Sequence, residues 1–128
     1  NLQAQMFVGG ITLAFKYLFQ RARPETGAGA FAWDGPFGGG KNDAFFSGHT
    51  ALAFSTANMI FLHSHKKWWV GVLSVGGATA AGLSRMQQQK HWSSDVAMGA
   101  IMGTAISSWV YHQQEKRRAI KTRIKTVL

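Results

Sequence analysis

A chain of 128 residues has room for one domain with one core, and the absence of cysteine excludes disulfide frameworks and thiolate-bound metals. Its formal charge of +9 raises nucleic acid as a partner, so the placement of the 14 basic and 5 acidic residues matters more than their sum. None of them falls in 1–15, 44–65, 68–84 or 96–114, whereas a soluble amphipathic helix of such length carries charge on its wet face.

The charge-free runs predict an all-α fold in a single domain: a bundle of four core helices at about 2–20, 48–63, 68–84 and 92–114, followed by a basic tail over 115–128. They also point to a membrane-embedded bundle. Against that stand frequent Gly, Ser, Thr, Gln and Asn and a mean hydropathy of −0.06, since a spanning helix needs about 20 mainly apolar residues. A soluble helical bundle is the alternative. The chain begins at Asn1 and not at Met, which leaves open any segment before it.

In the first predicted helix Met6, Phe7, Ile11, Leu13, Phe15 and Leu18 supply apolar surface, and Gly9-Gly10 offers a thin place for a neighbour. The helix is expected to stop before Pro24, because a residue preceding proline is pushed out of the helical region. Lys16 and Arg23 then sit near one helix end, where both can reach one pocket; snorkelling of Lys16, Arg21 and Arg23 to headgroups is the plainer reading. Residues 25–43 form a Gly-rich loop with Phe31, Trp33, Pro36 and Phe37, read as an active-site rim whose aromatic residues either meet a membrane interface or pack locally. Gly35-x4-Gly40-Lys41 imitates a nucleotide-binding loop, but Asn42 follows where a hydroxyl is needed and no strand leads in.

Ser47-Gly48-His49 opens the second helix. A helix start offers unpaired N–H groups to a phosphate, and Gly48 permits close approach; an ordinary Ser cap with an incidental His is the competing reading. Ser55, Thr56 and Asn58 read as packing groups, and His63-x-His65 as a solvated turn. Trp68 and Trp69 open the third helix as interfacial anchors or as core aromatics. Gly71, Gly76, Gly77, Ala78, Ala80, Ala81 and Gly82 give this helix a small-residue face, and Gly99-x3-Gly103 does the same for the fourth, for packing within one bundle.

The connection between the last two helices, Ser84 to Asp95, places a guanidinium (Arg85), an imidazole (His91) and a carboxylate (Asp95) together. With a helix beginning near His91, residues 91 and 95 lie one turn apart, so the carboxylate can take one ring proton and leave the other nitrogen as nucleophile or base. Arg85 supplies a planar fork of donors that suits phosphate or carboxylate. A surface ion pair or helix cap is the ordinary alternative for the His and Asp.

Lys16-x6-Arg23-Pro24, then Ser47-Gly48-His49, then Ser84-Arg85-x5-His91-x3-Asp95, in this order, resembles the three-part signature of the type 2 phosphatidic acid phosphatase superfamily, which also includes bacterial acid phosphatases and vanadium haloperoxidases. The first and third parts match throughout; the second has Phe46 where the family usually has proline. The resemblance implies a phosphatase acting on a phosphate monoester or terminal diphosphate of a lipid through a phosphohistidine, without metal or other cofactor. His91 is then the nucleophile, Asp95 orients it, and His49 protonates the leaving oxygen. Lys16, Arg23, Arg85, Ser47 and Gly48 bind the phosphate. A soluble periplasmic acid phosphatase and a catalytically silent anionic-lipid-binding protein are the rival readings.

A four-helix bundle puts the connections at 20–47 and 85–95 on one side, so the three motifs share a face. Lys66, Lys67 and the tail cations Lys116, Arg117, Arg118, Lys121, Arg123 and Lys125 lie on the other. By the positive-inside rule the motif face is expected outside the cytoplasm, in a bacterial inner membrane, and the basic charge is explained without nucleic acid. A phosphorylated lipid and the membrane are the expected partners; oligomeric state is left open.

Overall fold

The computed structural model describes residues 1–39 and 42–127, the side chains of Phe37 and Val127 excepted. Gly40 and Lys41, on which the nucleotide-loop comparison rests, and Leu128 lie outside the described residues. Four α-helices, α1 (Leu2–Phe19), α2 (Gly48–His63), α3 (Trp68–Gln87) and α4 (Ser93–Val127), are joined through two single 3-10 turns at Pro24–Thr26 and Gly35–Phe37.

The first helix ends at Phe19, earlier than proline alone requires, because Gln20 takes a left-handed conformation (φ 42°) and its N–H closes on the Lys16 carbonyl. The second matches its expected range, and the third runs three residues beyond, to Gln87. The expected break at 114 is absent: α4 continues for 35 residues through the basic segment. Arg, Lys, Ala and Gln are good helix formers, neither Gly nor Pro interrupts them, and Glu115 pairs with Arg118 across one turn.

α2 is the central helix and packs on all three others, most extensively on α4 and α3. The α2–α4 contact is made by backbone on backbone. A Cβ added at Gly99 would lie 2.6 Å from the Ser47 carbonyl oxygen, and one at Gly103 only 2.1 Å from that of Ala51. Asn58 ties the same helices by donating to Ser107 Oγ (2.8 Å) and Ser108 Oγ (2.9 Å), and Thr56 receives Gln5 of α1 (2.8 Å). Gly82 of α3 approaches Val96 and Thr50, and Gly71 approaches Phe61. Gly76 and Gly77, expected in the same seam, face open space, as do Gly9 and Gly10.

The apolar side chains of α1 divide between core and surface. Ala4, Val8 and Thr12 form its inner seam, Ile11 and Phe15 flank the core, and Met6, Phe7, Leu13 and Leu18 point outward. In α3 Ala78 and Gly82 are inside while Val72, Leu73, Val75 and Leu83 are outside. Trp68 and Trp69 are surface residues. In α1 and α3 small residues thus fill much of the seams and several large apolar ones face outward. Among the described residues no helix is long and apolar enough to cross a membrane.

The seam assigns opposite signs to two glycine substitutions. Gly103→Ala forces α2 and α4 apart and is expected to cost about 1–3 kcal/mol, whereas Gly76→Ala meets no atom and gains roughly 0.8–1 kcal/mol of helix propensity. Melting temperatures of the two purified variants check this; a Gly103→Ala protein as stable as its parent would contradict the close crossing.

Candidate active site

The ends of α1 and α3 and the beginnings of α2 and α4 meet at one end of the bundle. The Ser47 N–H donates to the Asp95 carbonyl (3.0 Å), the Glu25 N–H to that of Gln89 (3.2 Å), and Trp92 Nε1 to that of Ala22 (2.9 Å). The rim loop turns back on α1, with Trp33 edge-on to Phe19 and Phe45 at 5.9 and 5.3 Å. Trp33 and Phe45 are therefore local packing, while Phe31 is 91% exposed. Phe46 is fully buried against Phe15 and the Val8, Ala51 and Ile106 core, so the departure from proline does not enter the site.

A cavity of about 310 Å³ opens there, lined by Lys16, Arg23, Gly48, His49, Arg85 and His91 together with Asp43 and the less polar Gly9, Thr12, Leu13 and Leu52. Six of the eight expected site residues thus converge. Ser47 and Asp95 do not line it. Ser47 is fully buried as the cap of α2, its hydroxyl accepting from the Thr50 N–H (3.4 Å) and from Thr50 Oγ1 (2.9 Å).

Asp95 is one residue group further back. Because α4 begins at Ser93 and not at His91, residues 91 and 95 are not stacked in one helical turn. His91 Nδ1 is 3.9 Å from Asp95 Oδ2 and instead donates to the Ala44 carbonyl at 2.8 Å. The expected direct bond is replaced by a backbone one. Asp95 Oδ2 accepts the Trp92 N–H (2.8 Å), half of a capping box at the start of α4, and Oδ1 accepts Arg21 Nη1.

Arg21, read from sequence only as a headgroup contact, is buried. It donates from Nη1 to Asp95 and to Ser94 Oγ (2.7 Å), and from Nε and Nη2 to the Ala30 carbonyl (2.9 and 2.7 Å). Its guanidinium also lies over Trp33, 4.9 Å from the ring centre. Asp43 is the second residue the sequence reading missed: its carboxylate grips Arg23 through Nε (2.7 Å) and Nη2 (2.9 Å) and lies 3.7 Å from Lys16 Nζ. The local signal for Asp43 was its place four residues before Ser47; for Arg21 it was only an alternation with Arg23 across an extended segment.

Arg85 Nη1 donates to Gln88 Oε1 (2.9 Å), while its Nε is buried with no partner among the described residues. Such a donor is costly to leave unpaired. The His91 ring is 3% exposed. Burial, then the charges of Lys16, Arg23 and Arg85, push its pKa from 6.5 down to about 4, against the opposing pull of the Ala44 bond. The ring is neutral at pH 7, with its proton on Nδ1 and its lone pair on Nε2. A neutral imidazole among fixed cations can attack an electrophile that the cations hold.

Residues 2–119 match the PAP2 superfamily. The chain is 32% identical over 105 residues to a lipid A 1-phosphatase of Porphyromonas gingivalis, an alignment covering 81% of this chain and 21% of that protein. It is 36% identical over 70 residues to the bacitracin transport permease protein BcrC of Bacillus licheniformis, covering 55% of this chain and 33% of that one. A probable diacylglycerol pyrophosphate phosphatase of Schizosaccharomyces pombe is 34% identical over 82 residues, 55% of this chain and 29% of that protein. The chain therefore spans about a fifth to a third of the length of these relatives. No solved structure matches.

The depressed basicity of His91 predicts its titration. The folded ring refuses the proton that the unfolded chain accepts near pH 6.5, so it stays neutral until about pH 4 and stability declines between those values as pH falls. Imidazole NMR shifts of the unliganded protein check this, and a His91 midpoint at 6 or above would contradict the buried, cation-flanked environment. With the three motif segments gathered around one cavity and the match running over residues 2–119, the chain belongs to the PAP2 superfamily.

Proposed function

We propose that the chain carries the catalytic centre of a phosphatase that hydrolyses a phosphate monoester or terminal diphosphate of a lipid. The observation that carries this reading is the convergence of Lys16, Arg23, Arg85, the α2 N-terminus, His49 and His91 on one cavity. Phosphoryl transfer needs positioning and fixed positive charge at the equatorial oxygens more than covalent help. The relatives named as lipid A and diacylglycerol pyrophosphate phosphatases support the substrate class.

In the proposed reaction the three cations and the Gly48 N–H hold the phosphoryl oxygens. The His91 Nε2 lone pair forms a bond to phosphorus as the ester P–O bond breaks, and His49, whose basicity burial and the charges of Arg85, Lys16 and Arg23 lower in the free site, gives the proton it takes up with the anionic substrate to the leaving oxygen. Water then attacks the phosphohistidine, passing a proton to His49, and the P–N bond breaks to restore His91 and release inorganic phosphate. Asp95 is a positioning residue in this scheme. It fixes the start of α4 through Trp92 and Arg21, and the Ala44 carbonyl sets the His91 tautomer.

The outward apolar side chains of α1 and α3, with small residues in the seams, support a second element of the proposal, a bundle whose outer faces meet lipid. The basic end of α4 then lies at the surface opposite the cavity, and the cavity faces away from the cytoplasm.

The roles of the two histidines separate when the leaving group is varied. An alkoxide leaves poorly unless protonated, so His49→Ala is expected to lose about 10²–10⁴ in rate on an alkyl or lipid phosphate and to recover most of it on an aryl phosphate with an acidic phenol. His91→Ala is expected to be inactive on both. Rescue of His91→Ala, but not of His49→Ala, by the activated ester would reverse the assignment.

A further inference from the structure

Two of the three cations that line the cavity already hold an anion. Asp43 places both carboxylate oxygens on Arg23, at 2.7 and 2.9 Å, in the fork-on-fork geometry by which a guanidinium takes two oxygens of a phosphate. One of those oxygens lies 3.7 Å from Lys16 Nζ, and the ammonium donates to the Asp43 backbone carbonyl as well. Only Arg85 is left without a carboxylate among the described residues. Burial alone would raise the Asp43 pKa, but its bonds to Arg23 and the charge of Lys16 outweigh it and hold the carboxyl below its usual range. Its side chain is nevertheless 44% exposed, so rotation toward solvent meets little packing.

Resting on the phosphatase reading above, we propose that Asp43 is an internal competitor for the phosphate cradle, a carboxylate that occupies Arg23 and Lys16 in the empty site and that the incoming phosphoryl group must displace. Two cations freed at once favour a group able to offer several charged oxygens, and a singly charged anion cannot replace the fork at both positions. Asp43 thereby lowers affinity by the same factor for every anion that must displace it. It sets the affinity of the cradle, within electrostatic reach of His91.

The test is binding of inorganic phosphate to the purified, detergent-solubilised full chain, read by calorimetry, in the parent and in Asp43→Asn, Asp43→Ala and Asp43→Glu. Exposed ion pairs of this kind are worth up to about 1 kcal/mol, so Asp43→Asn and Asp43→Ala are expected to bind phosphate roughly fivefold more tightly. Asp43→Glu keeps the charge and is expected to bind no more tightly than the parent. A gain of affinity is a readout that structural damage does not produce. Unchanged or weakened phosphate binding in both neutral variants, with the parent binding normally, would overturn the role of Asp43 and leave the phosphatase reading standing; so would an Asp43→Glu protein as tight as Asp43→Asn. Absence of phosphate binding in the parent and every variant would overturn the site reading and this role with it.

Discussion

Arg21 and Asp95 form a buried ion pair on which the geometry of the cavity rests. Their side chains are 6% and 0% exposed, and removing two charges from water is repaid only when the remaining donors and acceptors are satisfied. Here they are: the guanidinium also holds Ser94 and the Ala30 carbonyl, and the carboxylate also caps the first turn of α4. One contact therefore binds the exit of α1, the returning rim loop and the start of α4. Arg21 stands between Lys16 and Arg23 in the chain and Asp95 follows His91, so the segments that carry these three are tied by a pair that does not line the cavity.

The remaining cavity residues are placed by backbone packing. Gly99 and Gly103 let α4 approach the carbonyls of Ser47 and Ala51 more closely than any side chain would permit. This crossing fixes the N-terminus of α2, and with it Gly48 and His49, beside the loop that carries His91. The Ala44 carbonyl completes the arrangement by taking the Nδ1 proton of His91. The His91 ring, held by main chain, is tied to the fold of the 42–47 segment, whose Phe45 and Phe46 are anchored in aromatic packing with Phe15 and Phe19.

Much of this was legible in the residues. Charge-free runs located four helices, proline and glycine set the rim loop, and three spaced motifs named six of the eleven residues that line the cavity. The reading failed where the answer depends on partners distant in sequence. Asp95 was expected to bond His91 directly because four residues make one helical turn, yet the helix starts after His91 and leaves the two 3.9 Å apart, while Asp95 bonds Arg21, 74 positions away. Likewise Gly76-Gly77 and Gly99-x3-Gly103 look alike as small-residue patches, and only the position of α2 decides which is a contact. The continuation of α4 past 114 was hidden by its charge, which reads as a solvated tail although the same residues propagate a helix well.

On α1 and α3, small residues in the seams and exposed large apolar side chains coexist with a low mean hydropathy for the chain. The catalytic proposal does not depend on which medium covers that surface. It depends on a covalent bond between phosphorus and His91, and rapid acid-free quenching of the purified protein during turnover of a phosphate ester labelled on phosphorus measures that bond directly. The account predicts base-stable, acid-labile label on the peptide containing His91, absent from His91→Ala. Label on His49, or active turnover with no protein-bound phosphate under conditions where hydrolysis of the intermediate limits the rate, would contradict it.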